Sequence, residues 1–211
     1  MRMAFMLAAV AVLAVAWLGP LPDLARQSFA AHMTMHMAVV AVAAPLMAMA
    51  VSGSQVDPAR AMPRLFAPIP ASMIELVVVW TWHAPVLHHA ARHQTGTLVI
   101  EQVTFLAAGL LLWIAAFGGA RDQHRFRAGP GIIALLFTSM HMTLLGALFA
   151  LANRPVFQHA TNEPVALAAL ADQHLGGAIM LLVGGASYLF GGLWLTAGVL
   201  RGPIVRRELS S

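Results

Sequence analysis

The chain has 211 residues, of which 60% are hydrophobic and 9% charged, with a mean hydropathy of +0.78; a soluble domain carries roughly 25% charged residues, so a wholly water-covered surface is excluded and lipid becomes the main solvent. The formal net charge of +4 does not indicate nucleic acid, because the arginines sit singly or in small groups between apolar runs rather than along one basic face. Cysteine and lysine are both absent, which removes thiol catalysis, disulfides, iron–sulfur clusters and Schiff-base chemistry, while ten histidines and 13 methionines stand out.

Taken in order, six apolar stretches are long enough to cross a hydrocarbon core of about 30 Å, which needs roughly 20 residues. They run over 3–19, 28–50, 69–90, 97–118, 130–152 and 173–200, and the separators carry Gly19-Pro20, Ser52-Gly53, Gly96, Gly118-Gly119 and Asn153 with Pro155. Lipid admits only helices or closed barrels, and no stretch alternates as a barrel strand does. The expected fold is therefore all-α, a polytopic bundle of six transmembrane helices forming a single membrane domain over 1–211. The first stretch is longer than the apolar run of a signal peptide and lacks a small-x-small cleavage site, so it is expected to stay as a helix. One set of loops and ends collects nine arginines, and the other collects Arg26, Arg92 and Arg154. The positive-inside rule then puts both termini in the cytoplasm. Helix six carries Gly177, Gly184, Gly191 and Gly198 at steps of seven, a stripe expected to pack within the bundle, with a homo-oligomer interface as the other use.

This topology gathers the histidines on one side. All but His124 fall in the outer half or outside it. At 1.5 Å per residue, His32 and His36 lie roughly 6 and 12 Å in from the outer end of their helix, His83 about 10 Å, Glu101 about 6 Å and His141 about 16 Å. Asp172 and His174 are placed at the outer mouth of helix six. His32 and His36 are spaced i to i+4, so both imidazoles share one helix face. Ionisable residues inside a lipid-crossing segment are costly and usually functional. Metal or haem ligation, a hydrogen-bonded structural role and a proton relay are all open for this pair.

The candidate ligands are His32, His36, His83, His141, Asp172 and His174, with Glu101 and Met35 beside them. Thioether and imidazole together suit Cu(I), so copper is the expected ion, and a haem b clamped between paired histidines is the alternative. Neighbours in a helix point about 100° apart, which turns Met33 and Met37 away from the face of His32 and His36 and leaves Met35 as the nearest methionine. His88, His89 and His93 are expected to be solvated at the membrane surface. Glu75 is expected to pair with an arginine such as Arg64.

At these residues the chain resembles the CtaG-type cytochrome c oxidase assembly proteins of bacteria, the multi-helix group first tied to caa-type oxidases. The matching stretches are His32-Met33-x-x-His36-Met37 with Ala44-Pro45-Leu46, then Trp82-His83-x-Pro85, Thr104-Phe105-Leu106 with Trp113, His141-Met142-x-Leu144-Leu145-Gly146 and Asp172-Gln173-x-Leu175-Gly176-Gly177. Where the family often has a histidine just before the Thr-Phe step of helix four, this chain has Glu101-Gln102. The resemblance implies a non-enzymatic factor of the bacterial plasma (inner) membrane. Its partners would be lipid, cytochrome c oxidase subunits and a periplasmic copper donor, and its role would lie at the oxidase's active-site copper. A structural subunit of a respiratory complex, without a metal of its own, is the competing expectation.

Overall fold

The structure is a computed structural model that describes residues 1–119, 124–157 and 163–201. His159 and the arginines Arg121, Arg206 and Arg207 used for orientation lie outside the described residues. All regular structure among the described residues is helical. Four helical runs are individually long and apolar enough to cross a membrane, and six spans result when two bent pairs each count as one.

The first pair is α1 (Arg2–Leu18) and α2 (Leu21–Gln27), bent by 48° where Gly19-Pro20 interrupts the backbone. The second span runs from Phe29 to Val51 as α3 (Phe29–Met37), a π-helical turn (Ala38–Ala43) and α4 (Ala44–Val51). Its start is fixed by Ser28, whose hydroxyl accepts from the Ala31 amide at 3.1 Å. Pro45 has no amide hydrogen, so the ladder must open near Ala41, and the π-turn absorbs the defect. Side chains from other helices satisfy the carbonyls this releases. Ser187 donates to Ala41 O at 2.7 Å, and Trp113 donates to Val40 O at 3.1 Å.

After the short α5 (Pro58–Ala61), the third span is α6 (Pro68–Trp82) followed by α7 (Pro85–His93), bent by 73°. Pro85 forces the preceding Ala84 out of the helical region, to ψ 134°. The span expected over 69–90 is thus broken within its length, and the break falls beside His83. α8 (Thr95–Phe117) and α9 (His124–Ala150) follow.

The last span begins earlier than its hydropathy indicates. It comprises α10 (Glu163–Ile179), a second π-turn (Met180–Gly184) and α11 (Gly185–Arg201). Asp172 and His174 therefore sit within α10, not at the mouth of a helix starting at 173.

The glycine stripe of this span packs largely inside the bundle. A Cβ on Gly191 would come within 2.6 Å of the Trp113 ring, and one on Gly184 within 3.0 Å of Met37 Sδ. On the facing α9, a Cβ on Gly146 would come within 2.7 Å of the Leu181 amide nitrogen, so here two backbones touch. Gly198 alone of the four faces open space. Trp113, Tyr188 and Phe105 fill the centre, with Trp113 and Tyr188 stacked at 5.0 Å.

Candidate metal centre

α3 presents two neighbouring faces to the bundle, and each meets a different helix. His32 and His36 turn toward α8, where Glu101 is fully buried. Glu101 Oε1 lies 3.2 Å from His32 Nε2 and 3.4 Å from His36 Nε2. The two imidazoles touch edge to face, with centroids 4.3 Å apart. These three side chains offer ligand atoms that all lie within 4.8 Å of one another, a spacing that one metal ion can bridge.

The protons can be placed from the partners. Trp17 can only donate, and its indole nitrogen lies 3.1 Å from Gln102 Oε1. That fixes the Gln102 amide so that its NH2 faces His36 Nδ1 at 3.0 Å. His36 Nδ1 is then an acceptor, and the ring carries its hydrogen on Nε2, toward Glu101. His32 Nδ1, His36 Nε2 and Glu101 Oε2 are buried without hydrogen-bond partners.

The other face of α3 carries Met33, and here the break in the third span matters. His83 caps α6, and its Nδ1 lies 2.7 Å from Val79 O, a carbonyl that can only accept. Nδ1 therefore bears the hydrogen and Nε2 bears a lone pair. That lone pair faces Met33 Sδ at 3.4 Å. Neither atom has a proton to offer, so two lone pairs are held face to face. The His83 ring stands 5.9 Å from that of His36, and Phe105 and Phe149 wall the space.

His88 joins this group as a correction to the solvated position expected for it. It is 1% exposed, its ring is 4.7 Å from His32 and 4.2 Å from Phe157, and neither of its nitrogens has a partner. The bend at Ala84 swings α7 back over the cluster, which no periodicity in the sequence announces. His89 and His93 do remain exposed.

The remaining candidates lie elsewhere. Asp172 accepts from the Ser28 hydroxyl at 2.7 Å and from the Phe29 and Ala30 amides, binding α10 to the start of α3. His174 Nε2 donates to Ala152 O at 2.8 Å. Met35 packs with Ala16, Ala25 and Leu98, on the side of α3 away from Met33. His141 is buried against Phe137 with both nitrogens unpartnered, apart from the group of His32, His36 and Glu101. Glu75 does not meet Arg64, which is exposed; it accepts a short hydrogen bond from the Tyr188 hydroxyl.

The arrangement suits a small cation. It supplies two to four imidazoles, one carboxylate and one thioether from buried side chains, and the donor set mixes soft sulfur with borderline nitrogen.

Two comparisons, with the curated proteins and with the solved structures, yield no match. A family model described as cytochrome c oxidase caa3 assembly factor (Caa3_CtaG) matches residues 1–202.

Proposed function

The chain belongs to the cytochrome c oxidase caa3 assembly factor family, and on that premise we propose that it carries Cu(I) as cargo and helps to place it in the oxidase active site. The observation that carries this reading is the pair formed by His83 Nε2 and Met33 Sδ, two lone pairs 3.4 Å apart with no proton between them. Such a pair gains nothing by itself, and burying unpartnered acceptors costs free energy. A soft monovalent ion between them removes that cost and matches both ligand types. His32, His36 and Glu101 lie alongside, and the carboxylate balances the charge of the ion in a medium where an unpaired charge is expensive. The imidazoles are in ring contact, which favours a single ion over a porphyrin.

In this reading the chain is not a catalyst. It works in the bacterial plasma membrane with the cluster toward the periplasmic side, takes copper from a periplasmic donor and yields it to an oxidase subunit. The test is the copper-to-haem ratio of oxidase purified from cells lacking the chain. We expect the haem to be at least partly retained, copper to be depleted, and activity to recover in part with added copper. A chain with His36→Ala, present at its normal level in the membrane, should give the same depletion. A normal copper-to-haem ratio, with activity lower only because less oxidase accumulates, would contradict copper transfer and favour a scaffold.

A further inference from the structure

Above the buried histidines the surface opens into a cleft of about 480 Å3, walled by Arg26, Arg92, His88, His89 and His93 and closed on one side by Phe157. It joins two of the three arginines on the arginine-poor side of the chain. The two residues are tied reciprocally, each guanidinium donating to the backbone carbonyl of the other. Arg92 Nη2 donates to Arg26 O at 3.0 Å, while Arg26 Nη1 donates to Arg92 O at 3.4 Å. Arg26 Nη2 also donates to Thr95 Oγ1 at 2.9 Å.

Every one of these acceptors is neutral. Among the described residues neither arginine has a carboxylate within ion-pair distance, and the ion pairs that do form involve Glu101. Asp172, the acid that acts on Arg92 through space, is committed to the start of α3. Both guanidinium groups are thus held on neutral acceptors with no ion pair, although Arg92 is only 6% exposed and its Nε has no partner. His88, also buried and unpartnered, lines the same cleft. His89 and His93, rings 4.3 Å apart, supply further donors at the rim.

We infer that this cleft binds a phosphate group, with the two guanidinium groups and the rim imidazoles donating to its oxygens. A guanidinium fork matches the spacing of phosphate oxygens and forms the stronger, charge-assisted kind of hydrogen bond. The volume lies within the usual range for small-molecule sites, about 300–1,000 Å3. The phosphate is either the headgroup of an anionic phospholipid or a free anion. The inference does not rest on the copper reading, because its charges are those of Arg26 and Arg92; His88 is the one residue the cleft shares with the buried group.

The test has two arms and uses the full chain. In the first, protein in micelles containing equal phosphatidylglycerol and phosphatidylcholine is examined by native mass spectrometry for retained lipid. In the second, binding of inorganic phosphate is measured by isothermal titration in lipid-free detergent. Arg26→Gln removes one charge, and His93→Glu sets a carboxylate at an exposed rim position where folding is not at stake. Each should weaken binding by about tenfold, the loss of one charge-assisted contact. Selective retention of phosphatidylglycerol that both variants abolish establishes the headgroup. Phosphate binding with the same dependence on the variants, and no lipid preference, establishes the free anion. Lipid retention and phosphate binding that are both unchanged in His93→Glu and Arg26→Gln overturn the inference.

Discussion

Glu101 and Glu75 are both completely buried in membrane-crossing helices, yet their surroundings differ in kind. Each has one oxygen without a partner, but Glu101 faces two imidazoles that can lose or exchange a proton. Glu75 faces the hydroxyl of Tyr188, which itself is stacked on Trp113 and lies 3.4 Å from Val40 O at the π-turn. The first carboxylate sits among groups able to accept an ion, whereas the second is a fastening between α6 and α11. A buried acid in a membrane protein is therefore not a functional site by burial alone. What decides is whether its neighbours have lone pairs to spare.

The largest separation between the two regions should come from Tyr188→Phe. The substitution removes the donor to Glu75 and leaves a buried acceptor unsatisfied, at a cost of about 1–3 kcal/mol. Thermal unfolding in micelles should show that loss, while Cu(I) binding in the folded fraction stays at the wild-type level. A weakened copper affinity without loss of stability would place Glu75 in the metal site and erase the distinction.

A smaller effect, of opposite sign, is expected at Trp17. Its bond to Gln102 holds His36 with the hydrogen on Nε2. A metal bound at Nε2 requires the Gln102 amide to turn and accept from Nδ1, which breaks the Trp17 bond. One such hydrogen bond contributes about 1 kcal/mol, so Trp17→Phe should tighten Cu(I) binding about fivefold. Binding weakened in that variant would mean that Trp17 orients the site in its loaded form.

The helical, lipid-crossing nature of the chain could be read from hydropathy, because a span must be about 20 apolar residues long whatever it packs against. The pairing of His32 with His36 was readable too, since i to i+4 spacing fixes a shared face. Met33 was not. The 100° between neighbouring residues does separate it from His32, but His83 approaches α3 from the Met33 side, and helix rotation alone says nothing about what a second helix brings. His88 escaped for a related reason, as a bend of 73° at Ala84 carries it inward. Gln102 was visible only as a departure from the family's usual histidine. Its role in fixing the proton on His36 depends on Trp17, 85 positions away.

The most direct test of the central claim is a Cu(I) titration against a competing chelator on the purified Met33→Leu chain. Leucine conserves the volume of methionine and costs less than about 1.5 kcal/mol in a packed core, so the sulfur is removed while the fold stays. The wild type should bind one Cu(I) per chain, Met33→Leu should bind it at least about tenfold more weakly, a loss of roughly 1.4 kcal/mol, and Glu75→Gln should match the wild type. Equal affinity in the wild type and Met33→Leu would contradict a copper site between Met33 and His83.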